Sequence, residues 1–527
     1  VDLFAPATTR RRFLRLLGQG AFLAALPPPL RAGEGGTVTV SILHTTDLHG
    51  HILPTVDYAG HPDLGGLARC AAQVRQWRRE NPHSLLLDIG DVYQGTELGL
   101  RTRGATMIRC LNALAYDAWV VGNHEFDWGA GPFTDCVAAS AMPVLCANAR
   151  IEGKPLGLAS GPLAKIRPWI IKEIAAIRLA ILSATTPALT AWLPPENLTG
   201  FEVLDPIEAL RPLLREVAAA QPDVILLAGH MGLTRLDDLA NRVGALTREF
   251  PQIAVYLGGH THQNHSSMVV NGVLYTQADH YGIYAGKVDL TFDRASRKLL
   301  HRAATTVQMD HQVPLDPLVL SLARAELDAA DRILAQQIGE LTELFSVDSS
   351  FGQPSDIERL IASGILAALH QRGTPVDVVL HGLFDDKNGL SPGTKTIADA
   401  WNVLPYENAI VTVDLAYADL LAIARELSAS TDRRNLMGLR IAGAAQGTAF
   451  RVDALQSADG SPLPSKPVYR LALNSYDSQS GGGRFPLLAR LVAQPSSRRV
   501  LHPMLTRDAF IDFFAARQKI SRASLLV

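Results

Sequence analysis

Residues Thr37–Gly50 read TVTVSILHTTDLHG. The first half, with Val38, Val40, Ile42 and Leu43, is apolar and β-branched, and reads as a buried strand. The second half is polar and ends in Asp47-Leu48-His49-Gly50. The same pattern recurs along the chain. Leu85-Leu86-Leu87 leads into Gly90-Asp91, and Trp119-Val120-Val121 leads into Gly122-Asn123-His124-Glu125. Val224-Ile225-Leu226-Leu227 leads into Gly229-His230, and Val255-Tyr256-Leu257 into Gly259-His260-Thr261-His262. Short continuous apolar runs suit strands covered on both faces of an α/β sheet. Helical patterns at Leu67–Arg79 and Pro206–Ala219 fall between them. Each polar cluster is therefore expected on a loop at the carboxyl end of a strand, where open α/β sheets place their chemistry.

The clusters offer carboxylates, an amide oxygen and imidazoles, and no thiolate. That donor set suits borderline divalent metals such as manganese, zinc, iron or cobalt. Asp47 and His49 alternate and can face one ion. The carboxylate of Asp91 has two oxygens and can bridge two ions. Asn123 supplies a carbonyl oxygen, and His230, His260 and His262 supply ring nitrogens. Two ions about 3.5–4 Å apart can bind an oxyanion and acidify a water whose hydroxide attacks in line. His124 has Asp127 three residues on, and an imidazole oriented by a carboxylate can protonate a leaving oxygen.

The chain has 527 residues, too many for one hydrophobic core, so two domains are expected. With 47% hydrophobic and 19% charged residues and a formal net charge of -2, it is an ordinary globular chain. That charge balance excludes broad binding to nucleic-acid polymers or anionic membranes. No apolar stretch in the body of the chain is long enough for a membrane span. Thr9-Arg10-Arg11-Arg12-Phe13-Leu14-Arg15, a short apolar run and Pro27-Pro28-Pro29 resemble a twin-arginine export signal over residues 1–32. This implies the twin-arginine machinery as a partner and a periplasmic or secreted destination. Cys70, Cys110, Cys136 and Cys146 lack metal-type spacing and read as buried free thiols, with Cys136 and Cys146 the one pair worth checking.

The strand–helix alternation places a catalytic domain at residues 37–310. Asn271-Gly272 reads as a hairpin turn. Asp316-Pro317 opens a helix, and Leu320, Ala323, Leu327, Ala330, Leu334 and Ile338 mark one face at helical spacing. This predicts a connector helix over residues 314–343, followed by a mixed α/β domain over 344–527. Further helices are expected at Ile357–Gln371 and Arg507–Lys519.

Leu43–Gly50, Gly90-Asp91, Gly122–Asp127, Gly229–Gly232 and Gly258–Gln263 resemble the 5′-nucleotidase family of calcineurin-like metallophosphoesterases. The resemblance implies an N-terminal metallophosphoesterase sandwich and a C-terminal α/β domain that binds the substrate. It implies one metal on Asp47, His49, Asp91 and His262, and a second on Asp91, Asn123, His230 and His260. It also implies that His124 and Asp127 are the catalytic pair. Two aromatic rings clamp the base in that family, and Leu404-Pro405-Tyr406 and Asn474-Ser475-Tyr476 match, giving Tyr406 and Tyr476.

The C-terminal domain departs from the family pattern. Where members have Asn-Gly-Gly-Gly-Ile-Arg, this chain has His381-Gly382-Leu383-Phe384-Asp385-Asp386-Lys387, without the substrate-binding arginine. Where members have Gly-Gly-Asp-Gly, it has Gly481-Gly482-Gly483-Arg484. Arg484 and Lys387 are the candidates to restore a positive contact. The expected activity is an exported two-metal phosphohydrolase acting on nucleotides. A 2′,3′-cyclic-nucleotide phosphodiesterase with 3′-nucleotidase activity is the alternative. A thiosulfohydrolase of sulfur oxidation ranks lower, because Asn123-His124 stands where such proteins have Gly-His-Trp-Glu.

Overall fold

The computed structural model describes residues 36–446 and 449–527; the expected export signal lies outside the described residues. Thr37–Thr45 pairs in parallel with Ser84–Asp88, which pairs in parallel with Ala118–Val120. These strands belong to a seven-stranded sheet. In a second, six-stranded sheet Val224–His230 pairs in parallel with Val255–Gly258. Side chains alternate along a strand, so each of these strands has two faces to cover. Val40, Ile42, Leu85 and Leu87 of one sheet meet Leu179, Ile181, Leu226 and Leu257 of the other, forming the core of the sandwich. Leu43, Leu86 and Trp119 point to the opposite face and pack under helices Leu67–Glu80 and Ala105–Ala113. Helix Pro206–Ala219 covers the second sheet through Leu210, Leu214 and Val217. The Asp205 side chain caps that helix through Ile207 N at 2.8 Å, a contact worth about 1 kcal/mol.

Asn271 and Gly272 both have positive φ, 49° and 85°, and join strands Asn264–Val270 and Val273–Ala278. This is the two-residue turn whose twist matches antiparallel strands.

The helix announced by Asp316-Pro317 runs over Pro317–Leu334, with Asp316 accepting from Leu318 N and Val319 N. The connector expected over 314–343 is thus shorter. Gln337–Leu341 is a strand, paired with Gly393–Thr396 and with Lys519-Ile520. Nor does the helix stand free. Val319, Ala323 and Ala330 bury into the N-terminal core, whereas Ile338, read as part of the same stripe, belongs to the C-terminal core.

In the C-terminal domain a five-stranded sheet runs in the order Asn435–Met437, Val378–His381, Tyr469–Asn474, Ala409–Leu415, Val500–Leu505. Helices Asp356–Gln371 and Thr506–Arg517 pack on one face. Helices Tyr417–Ala429 and Pro486–Val492 cover the other. The last helix ends before Lys519, which lies in the short strand instead. All four cysteines are buried and free, Cys136 and Cys146 included. No helix among the described residues is long and apolar enough to cross a membrane.

Candidate metal centre and substrate cavity

The parallel strands bring all five clusters to one edge of the sandwich. Asp47, His49, Asp91, His260 and His262 all adopt left-handed backbone conformations, with φ between 47° and 74°. Such conformations cost about 1–3 kcal/mol each for non-glycine residues and persist where neighbouring structure enforces them. Here the loops lock each other. Asp47 N donates to Gly90 O, His49 N to Asp91 O and Gly50 N to Val92 O, each at 2.9 Å. The Glu125 carboxylate ties the second and third loops together, accepting from Asp91 N, Val92 N and Gly122 N at 3.0, 2.8 and 2.6 Å. Gly90, at φ 103°, is required for contact as well as conformation, since a Cβ there would lie 2.7 Å from His230 Nδ1.

Two groups of donors result, Asp47–His49–His262 and Asp91–His230–His260. His49 Nε2 and His262 Nε2 are 3.0 Å apart, and His262 Nε2 is 3.4 Å from Asp47 Oδ1. Asp91 Oδ2 lies 3.0 Å from His230 Nε2 and 3.8 Å from His49 Nε2, so it stands between the groups. His49 Nδ1 donates to Gln94 O at 2.8 Å and His230 Nδ1 to Ile89 O at 2.7 Å. These carbonyls orient the rings so that both Nε2 atoms face inward.

The residues fit divalent cations on three counts. Asn123 Oδ1 is buried without a hydrogen-bond partner among the described residues, and such a group is costly unless something else satisfies it. Burial and His262 hold His49 well below the usual histidine range, and burial and His230 hold His260 at about 3, so both rings are neutral. Burial alone would raise Asp91, but the imidazoles of His230 and His124 outweigh it and keep the carboxylate ionised. These are the forms in which metals bind. Finally, the site demands positive charge. Burial opposes protonation of His230, yet Asp91 and Asp47 push it up to about 10.

His124 Nδ1 is 2.8 Å from Asp127 Oδ2, and His124 N donates to Asp91 Oδ1 at 2.8 Å. Burial works against a charged imidazole there, but Asp127 and then Asp91 raise it to about 10. The seven expected donors and the expected His–Asp pair thus meet in one place.

A cavity of about 550 Å³ opens above this centre, between the two domains. Tyr406 and Tyr476, the rings that the family resemblance implied, line it together with Arg484. Lys387 does not; its ammonium donates to Tyr58 O at 3.1 Å. Another segment brings an arginine to this cavity. Arg434 lines the cavity, held by Asp477 through Nε at 3.0 and 2.9 Å and by Asp432 at 3.0 Å. Arg484 Nη1 in turn reaches Asp432 Oδ2 at 3.0 Å and the Tyr476 hydroxyl at 2.9 Å. Trp192 and Phe384 complete the aromatic walls, 4.9 Å from His260 and 5.2 Å from Tyr406 between ring centroids. None of Arg434, Asp432, Trp192 and Phe384 has a motif of its own. Only Phe384 stood within a segment that the sequence had singled out.

Residues 40–264 match the family described as calcineurin-like phosphoesterase, and residues 337–490 match the 5′-nucleotidase C-terminal domain. The chain is 30% identical over 304 residues to the snake venom 5′-nucleotidase of Gloydius brevicauda, covering 53% of this chain and 49% of that one. It is 28% identical over 360 residues to the 5′-nucleotidase of Bos taurus, covering 64% and 59%. The matched region thus spans about half the length of these curated relatives. The crystal structure of a 5′-nucleotidase precursor from Thermus thermophilus superposes with a TM-score of 0.70 at 24% identity, covering 92% of this chain and 97% of that one. This likeness shows the fold.

Proposed function

Because the chain belongs to the 5′-nucleotidase family of calcineurin-like metallophosphoesterases, we propose that it is an exported phosphohydrolase releasing phosphate from nucleotides. One observation carries the reading: the His124–Asp127 pair and two metal-type donor clusters converge beneath a cavity walled by Tyr406 and Tyr476. Asp47, His49, Asp91 and His262 would hold one cation, and Asp91, Asn123, His230 and His260 the other. When bound, the two ions supply charge stabilisation for a transferred phosphoryl group and acidify an attacking water.

The chain's own residues do the rest. With Nδ1 committed to Asp127, the Nε2 of His124 is free to donate a proton to the leaving ribose oxygen. The Tyr406 and Tyr476 rings hold a base by stacking, and Arg434 and Arg484 offer guanidinium N–H groups at the same wall. Phe384 packs against Tyr406 and Trp192 against His260, adding apolar surface to the same cavity. The pattern from Thr9 to Arg15 supports export through the twin-arginine route.

Phosphate release from a panel of 5′-, 3′- and 2′,3′-cyclic nucleotides, using manganese- or zinc-loaded protein, tests the reading. A cysteine S-thiosulfonate belongs in the same panel. Turnover of that compound alone, with every nucleotide inert, would overturn the assignment.

A further inference from the structure

Two of the donor imidazoles are held by residues that also reach into the C-terminal domain. His49 Nδ1 donates to the main-chain oxygen of Gln94 at 2.8 Å. The Gln94 side chain, buried to 1% exposure, donates through Nε2 to Glu407 Oε2 at 2.7 Å. Glu407 is itself fixed by Arg507 Nη2 at 3.0 Å. On the other side, His262 Nδ1 lies 2.7 Å from the Tyr58 hydroxyl. Tyr58 in turn accepts Lys387 Nζ at its carbonyl. Lys387 stands in the segment that departs from the family pattern.

The two links converge on a single donor group. His49 and His262 share the Asp47 cluster. His230, in the Asp91 cluster, takes its orientation from Ile89 O inside the N-terminal domain. With Nε2 facing the cluster, the His262 ring carries its proton on Nδ1 and donates it to Tyr58, whose own proton points toward Tyr281 Oη at 3.4 Å. Groups that orient a metal-binding imidazole set its affinity about 10–100-fold.

We infer that Gln94 and Tyr58 are positioning residues that make tight metal binding at the Asp47–His49–His262 group depend on the seating of the C-terminal domain, through Glu407 and Lys387. The inference rests on the reading of these side chains as metal ligands. The donor arrangement makes the dependence one-sided. Loosening the domain contact slackens one cation site and leaves the other held.

The test is metal release from the full-length, manganese- or zinc-loaded protein into excess chelator, followed as equivalents released against time. Three variants separate the parts. Gln94→Ala keeps the carbonyl that holds His49 and removes only the bond to Glu407. Lys387→Met removes the bond to Tyr58, and Tyr58→Phe keeps the ring while removing the hydroxyl. Each should speed release of one equivalent by about 10-fold or more and leave the second at the wild-type rate. Acceleration of both equivalents together, or of neither, overturns the inference. So does an effect of Tyr58→Phe with none from Lys387→Met and Gln94→Ala, since the hydroxyl would then act without the other domain. Protein that takes up no divalent metal removes the ligand reading and the inference with it. Two equivalents bound, with release unaltered in all three variants, removes the inference alone.

Discussion

The Tyr406 ring lies nearly parallel to the His124 imidazole, 14° from coplanar orientation with centroids 6.2 Å apart. The first comes from the C-terminal domain and the second from the N-terminal one. A base stacked on Tyr406 would therefore sit next to the imidazole proposed to protonate the nucleotide's leaving oxygen. The proposed binding ring and the proposed general acid share one wall of the cavity, so separate variants can measure their contributions.

His124→Ala should keep both metals, because the ring is bonded to Asp127 and only its main-chain N–H touches Asp91. Turnover should fall by roughly 10²–10⁴-fold, the usual contribution of a general acid. Metal content by elemental analysis, set beside kcat, checks this. Loss of metal would mean that the ring is a ligand.

Asp91→Asn attacks the bridge between the two donor groups. Outer-sphere substitutions cost about 10–100-fold in metal affinity, so a shared ligand should cost at least about 100-fold. Titration with a metal indicator reports it. Unchanged affinity with full turnover would falsify the bridging role.

The basic limb of the pH profile should lie above the ordinary histidine range. Burial disfavours the imidazolium of His124, but Asp127 and Asp91 raise it to about 10. A general acid works while protonated, so activity persists at neutral pH and is lost as pH rises through the raised value. Asp127→Asn removes the largest raising influence. The limb should then move to lower pH in kcat/KM, and an unmoved limb would assign it to another group.

Tyr406→Ala removes a stacking surface and leaves the metal donors intact. Stacking on an aromatic ring contributes about 1–3 kcal/mol per base. KM for nucleotides should rise by about 5-fold or more, while a phosphoester with no base should be turned over as before. Equal losses on both substrates would mean that the ring acts on the phosphoryl end.

Arg434→Met leaves Asp477 buried and without its ion-pair partner. Breaking a buried pair from one side costs about 3–5 kcal/mol. Thermal unfolding should show a C-terminal domain destabilised by that order, while Arg484→Met, on an exposed partner of Asp432, should cost far less. Similar unfolding temperatures for the two variants would show that the Arg434–Asp477 pair carries little of the domain's stability.

Much of the centre was legible because local rules converged there. Strand, tight turn and donor lie within a few residues of each other at Asp47, Asp91, Asn123, His230 and His260. The connector was not. Ile338 continues the helical spacing of Leu334, and periodicity alone does not register that Gln337–Leu341 pairs with strands about 55 and 180 residues further along. Thr431-Asp432-Arg433-Arg434 likewise carries no motif. The arginine becomes a cavity residue because Asn435–Met437 pairs with Val378–His381 and Gly382 leaves room for its side chain.

The sequence by itself determined the donor chemistry, the His–Asp pair and the edge of the sheet on which they stand, while the two aromatic positions came from the family resemblance. Each of these depends on residues close in the chain, where backbone geometry and side-chain periodicity act directly. Only the tertiary structure decided what faces them. Arg434 came to line the cavity, Lys387 turned to Tyr58, and Gln94 joined His49 to Glu407. These contacts join residues between 43 and 329 positions apart, chosen by burial and charge pairing once the domains are packed, and no local pattern encodes them.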